Sequence, residues 1–145
     1  AMPAALLELE FTENALMLGP NDTNPLVEQL KDLGVQVVID DFGKGYSSLS
    51  YLTRLPVDSL KIDLSFLQGV TENNRDRAMA RAIIALGASL GLRVVAEGVE
   101  TDDQRQFLVE NKCSFGQGFF YAPGLPVADC TRLLQQSAPK RALYH

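Results

Sequence analysis

Hydrophobic and polar positions change period several times along the chain. Leu6–Phe11 (LLELEF) sets Glu8 and Glu10 on one side and Leu7, Leu9 and Phe11 on the other, the two-residue period of a strand. A turn at Asn21–Pro25 leads into a helix over Pro25–Leu33, where Leu26, Leu30 and Leu33 recur at helical spacing. Pro25 suits its first position and Gly34 its stop. Val35, Val37, Val38 and Ile39 form a short β-branched run, the composition of a buried parallel strand, which ends in Asp40 and Asp41. Tyr46–Leu55 reads as a short helix closed by Pro56, and Ser59–Asp63 (SLKID) as a third strand. Asn74–Leu90 is the longest predicted helix, with Ala78, Ala82, Ile83, Leu86 and Leu90 as its apolar face and Gly91 as its stop. Leu92–Ala96 is a fourth strand, and the capping box Thr101–Gln104 (TDDQ) opens a helix to about Glu110. Phe115–Tyr121 is a fifth strand and Pro126–Gln136 the last helix. Residues 1–5 read as a leader or cloning scar and 137–145 as a frayed tail, leaving 6–136 as the domain.

Strand and helix alternate five times with no hairpin signal, which predicts an α/β fold with a parallel sheet and right-handed crossovers. Two architectures fit: a small open sheet, or part of a (β/α)8 barrel, which takes about 250 residues when complete. The pattern alone leaves both open.

Composition narrows the chemistry. With 46% hydrophobic and 21% charged residues, the chain can bury a core. A net charge of −5 gives no basic face for duplex nucleic acid. No apolar run reaches the roughly 18–20 residues of a membrane span. Cys113 and Cys130 lack metal-ligand spacing and read as free thiols in a reducing cytoplasm. His145 is the only histidine and is terminal, which argues against a Ser-His-Asp or Cys-His mechanism and a histidine zinc site. Gly43-Lys44-Gly45 is not a P-loop: Val38 stands where that motif needs Gly, and Gly45 where it needs Ser or Thr.

What remains is a series of acids at strand ends. Glu10, Asp40 with Asp41, Lys61 with Asp63, Glu97 with Glu100, and Gln117 each follow or close a predicted strand. Singly, each carboxylate reads as a turn former or helix cap. In a parallel sheet, however, all these ends face one mouth, where such charges repel unless cations join them. Oxygen ligands without Cys or His select Mg²⁺ or Mn²⁺, and two such ions suit phosphodiester hydrolysis. Adjacent strand residues point to opposite faces, so Asp41 has to turn inward at the loop.

The segments LELEFTENALM, VVIDDFGKGYSSLSYLTRLPVDSLKID, LRVVAEGVET and GQGFFYAPGLP closely resemble the EAL-domain phosphodiesterases of bacterial cyclic di-GMP signalling, from about Leu6 to Leu134. The resemblance implies a TIM-like barrel that hydrolyses cyclic di-GMP to pGpG with two Mg²⁺ or Mn²⁺ ions. By position it implies Glu10, Asp40, Asp41 and Glu97 as metal ligands, with Glu97 also a base candidate and Glu100 in support. Lys61 would hold the nucleophilic water, Gln117 would lie at the site and Asp63 would line it. Glu13 would clamp the loop after the acidic pair. That loop, with Phe42, Gly43, Gly45 and Ser47, couples metal binding to dimerisation in the family. Lys44 occupies a variable loop position and is expected to face solvent. The family's E-x-L motif and an upstream asparagine, both ligand sources, are not found in this sequence.

The chain therefore resembles the last five strand–helix units of an eight-stranded barrel, a truncated portion expected to be inactive alone. Its edges at Leu6–Phe11 and Phe115–Tyr121 are expected to pair through a homodimer, a domain swap or a partner fragment. The expected location is the bacterial cytoplasm, within a larger multidomain or membrane-tethered protein or by itself. Two other readings compete. One is a non-catalytic module that binds cyclic di-GMP or a protein partner; the other is an enolase-like proton abstractor with Lys61 as base.

Overall fold

The computed structural model describes residues 2–17, 20–45 and 49–136. Five strands, β1 (Glu8–Thr12), β2 (Gln36–Phe42), β3 (Ser59–Ile62), β4 (Arg93–Ala96) and β5 (Phe115–Gly116), each pair in parallel with the next in sequence, giving the order β1-β2-β3-β4-β5. Among the described residues the helices are α1 (Glu13–Met17), α2 (Pro20–Asp32), α3 (Leu49–Leu52), α4 (Leu64–Gln68), α5 (Asn74–Leu90), α6 (Asp102–Glu110) and α7 (Val127–Gln136). Sequential order with crossovers of one hand places the helices on one face of the sheet.

The two faces of the sheet divide the chemistry. Val37, Ile39, Leu60, Ile62, Val94 and Ala96 turn to the helix side and form one buried cluster with Val27, Ala80, Ile83, Ile84, Phe107 and Leu108. Ile39, Leu60 and Ile62 are wholly buried, and burial of each side chain contributes about 1.5–3 kcal/mol. The alternate positions Glu8, Glu10, Asp40, Lys61 and Arg93 share the opposite face. There Arg93 Nη2 reaches Glu8 Oε1 at 2.9 Å although β2 and β3 lie between their strands, so the sheet curls as a barrel wall does. Asp58 ties the other end of the sheet: Asp58 Oδ2 accepts from the Val37 N–H at 2.7 Å and pairs with Lys31 Nζ at 2.6 Å.

Several boundaries differ from the sequence expectation, each for a local reason. Helix α2 begins at Pro20, so Pro25 lies inside it rather than at its start. As the sixth helical residue it lies past the four orphan N–H groups of the first turn, so it removes one i→i−4 hydrogen bond. The strand expected over Phe115–Tyr121 is two residues long, because the chain turns at Gly118 and bonds back to Val99: the Phe120 N–H donates to Val99 O at 2.9 Å. The buried stripe of α5 is Ala80, Ile83, Ile84 and Gly87; of the expected face, Ile83 is buried and Leu86 and Leu90 pack against the core, while Ala78 and Ala82 are exposed. Gly87 decides that rotation by letting α5 lie directly on Val94. Helices α1 and α4, five residues each, carry no amphipathic repeat long enough to predict. The capping box of α6 forms as expected, with Thr101 and Gln104 bonding reciprocally.

The cysteines give a direct check on this packing. Cys113 is buried and Cys130 exposed. Burial pushes the Cys113 thiol from its ordinary value near 9 up to about 11, against smaller opposing contributions from backbone hydrogen bonds. Ellman's reagent at neutral pH is expected to titrate Cys130 alone, and both thiols in denaturant. Because the folded state keeps the Cys113 proton to higher pH, this group's stabilising contribution is complete below pH 9 and is lost between pH 9 and 11.

Candidate functional site

The carboxyl ends of β1, β2, β3 and β4 meet around one ammonium. Lys61 is the third residue of β3 and only 6% exposed. Its Nζ lies 2.5 Å from Glu97 Oε1, 2.8 Å from Glu10 Oε2 and 3.9 Å from Asp40 Oδ1. Glu97, just past β4, also accepts a hydrogen bond from Gln117 Nε2 at 2.7 Å. Five residues from five consecutive strand ends are thereby drawn together. Burial works against the charge on Lys61, but hydrogen bonds to Glu10 and Glu97 outweigh it and raise its pKa above the ordinary lysine value. A lysine acting as a base needs the opposite shift, so the enolase-like reading loses its central group.

A β-bulge turns the acidic pair. Ile39 pairs with Leu60 and Phe42 with Ile62, so Asp40 and Asp41 together oppose Lys61. Asp41 accommodates the extra residue with φ +55, and its N–H donates to Asp40 Oδ1 at 2.9 Å. The turn that alternation alone forbids is thus made within the strand.

The loop after the pair is held from beneath. Glu13, the first residue of α1, is 2% exposed, and its Oε2 accepts from the Gly43 N–H at 2.9 Å and the Gly45 N–H at 3.3 Å. Gly43 needs its φ of +104, and a Cβ there would come within 2.8 Å of the Phe66 ring. Phe42 is buried beneath the loop. Ser47 lies outside the described residues. Replacing Glu13 with Ala leaves two loop N–H groups unpartnered and is expected to cost about 1–3 kcal/mol in urea denaturation, with faster hydrogen exchange at Gly43 and Gly45. Unchanged exchange there would refute the clamp.

Three residues, Lys44, Asp63 and Glu100, have surroundings that differ from expectation. Lys44, assigned to solvent, is half exposed at its side chain, yet its Nζ sits 2.6 Å from Asp63 Oδ2 and 3.2 Å from Asp41 Oδ1. Asp63 caps α4: its Oδ1 accepts from the Ser65 N–H at 2.9 Å and from the Ser65 hydroxyl. Burial opposes its charge, but hydrogen bonds from Lys44 and Ser65 prevail and hold the carboxyl down at about 2. The D-x-S step before the apolar run LSFLQ was the available signal for this cap. Glu100 is exposed on the loop after β4, where its N–H donates to Gln104 Oε1 at 2.7 Å; among the described residues no hydrogen bond or ion pair joins its side chain to the cluster.

The donors gathered here are all oxygen atoms, the chemistry of a site for a hard divalent cation. Among the described residues, no three acidic, cysteine or histidine side chains converge on a point that an ion could take as they stand. The Lys61 ammonium holds that position between Glu10, Asp40 and Glu97. The residues fit such an ion in chemistry, and their side chains have to rearrange around Lys61 to receive it. No helix among the described residues is long and apolar enough to cross a membrane.

Comparison with known proteins identifies the family and the fold. The EAL domain family model matches residues 1–124. The chain is 51% identical over 134 residues to the cyclic di-GMP phosphodiesterase NbdA of Pseudomonas aeruginosa, covering 92% of this chain and 17% of NbdA. Its fold superposes on a structure described as the PaMucR phosphodiesterase in complex with c-di-GMP at a TM-score of 0.86 and 43% identity, over 89% of this chain and 52% of that one. It also matches a manganese and cy-diGMP complex of Klebsiella pneumoniae BlrP1 at a TM-score of 0.76 and 30% identity, over 82% of this chain and 30% of that one. The chain thus spans about a sixth of the length of NbdA and about half of the MucR structure. With its parallel, curled sheet and its acids gathered at the strand ends, this chain belongs to the EAL domain family.

Proposed function

We propose that this chain forms part of a phosphodiesterase domain that hydrolyses cyclic di-GMP to pGpG. The observation that carries the reading is the meeting of Glu10, Asp40, Glu97 and Gln117 around Lys61 at the mouth of a parallel sheet. Glu10, Asp40, Asp41 and Glu97 would hold Mg²⁺ or Mn²⁺. When bound, such ions lower the pKa of a water and offset the charge of a phosphodiester. The chain's own side chains do the rest. Lys61 stays protonated and orients Glu10 and Glu97, and its third N–H, held only by the 3.9 Å contact to Asp40, can turn toward a water. Gln117 fixes the rotamer of Glu97, and Glu13 keeps the loop beside Asp41 in place. Glu100 and Asp63 flank the mouth.

The position of the Lys61 ammonium between the carboxylates favours a second reading for this chain by itself: a module that binds cyclic di-GMP, or a protein partner, without cutting. Chromatography of cyclic di-GMP incubated with the chain and Mn²⁺ separates the two. Slow or no release of pGpG is expected from this chain, together with ligand binding by calorimetry. Rapid metal-dependent turnover would contradict the proposed inactivity, and loss of both binding and turnover would contradict the substrate.

Strands β1 and β5 each pair on one side only among the described residues, and Phe115, Phe119 and Tyr121 beside β5 are 48%, 72% and 46% exposed. Pairing of these edges through a homodimer, a domain swap or a partner fragment satisfies them. Light scattering at micromolar concentration is expected to give a dimer mass; a monodisperse monomer would reject it.

A further inference from the structure

Lys44 does more than the loop's sequence suggests. Its backbone is fixed on both sides, since Gly43 and Gly45 each donate an N–H to Glu13 Oε2. From that anchored position its ammonium bridges Asp63 Oδ2 at 2.6 Å and Asp41 Oδ1 at 3.2 Å, joining the end of β3 to the bulge of β2. The Asp63 side chain is 2% exposed, and a carboxylate so buried beside a second one needs a cation. Lys61 does not serve this pair: its Nζ is engaged by Glu10, Glu97 and Asp40.

We infer that Lys44 is a tethered counter-cation for the Asp41–Asp63 pair, which competes with a divalent ion for Asp41. The inference rests on the reading of Asp41 as an ion ligand. An ammonium and a dipositive ion repel at this separation, so each weakens the other's hold on Asp41. Asp63 has two bonds from Ser65 that do not involve Lys44, so the α4 cap persists when Lys44 is released. Lys44 therefore sets the ion concentration at which the Asp41 side of the site fills. Its release also frees the side chain of a loop whose backbone stays clamped.

The test is Mn²⁺ binding at low ionic strength, read by the paramagnetic resonance signal of free Mn²⁺. It compares the chain with Lys44→Met and with Lys112→Met. Lys112 lies in the turn before β5, at the opposite end of the strands, so its replacement makes the same change in net charge far from the site. Lys44→Met is expected to bind Mn²⁺ about fivefold more tightly than both other proteins, the scale of an exposed ion pair. Equal affinity in all three, or an equal gain in both variants, overturns the inference and leaves the ion site standing. Absence of Mn²⁺ binding in all three overturns the ion reading of Asp41 as well.

Discussion

Replacing Lys61 with Met is expected to destabilise the chain more than any other single change at the site. The substitution keeps the length of the side chain and removes the charge that Glu10, Asp40 and Glu97 share at 2.8, 3.9 and 2.5 Å. Loss of one partner of a fully buried ion pair costs about 3–5 kcal/mol. The Glu10 and Glu97 side chains keep 46% and 18% of their exposure, so water and salt screen part of that loss. An effect of about 2–3 kcal/mol is therefore the expected size. It should appear as a lower urea midpoint at unchanged slope. Added Mn²⁺ should recover part of it, because the three carboxylates then have a cation again. A midpoint equal to that of the parent, with or without Mn²⁺, would mean that the acids do not depend on this lysine.

Gly87→Leu is expected to have a comparable effect from the other side of the sheet. Glycine inside a helix costs about 1 kcal/mol relative to alanine, so its place in the middle of α5 needs a reason. A Cβ at this position would overlap Val94 Cγ2 and meet Leu60 Cδ2 at 3.5 Å. A leucine has to push α5 off β3 and β4, where Leu60 and Val94 are buried. Overpacking of this kind costs about 1–3 kcal/mol, and leucine adds three more carbons than alanine to the overlap. Thermal denaturation should show a fall in midpoint of several degrees. Adding Val94→Ala should recover part of the loss, giving a coupling energy in a double-mutant cycle. Strict additivity of the two changes would show that Gly87 does not rest on Val94.

Much of this arrangement is legible in the sequence where a local rule and a tertiary need agree. Thr101–Gln104 caps α6 as its letters say, and α5 runs from Asn74 to Leu90 between an Asn cap and Gly91. The acids at the strand ends converge because parallel strands offer no other arrangement of their tips. The expected face of α5 holds at Ile83, Leu86 and Leu90 but not at Ala78 and Ala82, which count as apolar by type, whereas burial goes to the side where Gly87 permits close approach. The fifth strand stops early because Gly118 sits against Val99, and a Cβ there would overlap the Val99 backbone; nothing in FFYA signals that contact. Lys44 is exposed as expected, but its two ion pairs are not legible for a related reason. A lysine in a glycine-flanked loop is ordinarily solvated, and its partners Asp41 and Asp63 are brought to it only by the bulge and by the α4 cap.

Anomalous diffraction from crystals of the chain grown with Mn²⁺ tests the central claim most directly. The account predicts a manganese peak within coordination distance of Glu10, Asp40 and Glu97 or of Asp40 and Asp41, with the ammonium of Lys61 displaced toward its edge. A peak bound only by other acids, or none at these strand ends at saturating Mn²⁺, would contradict it.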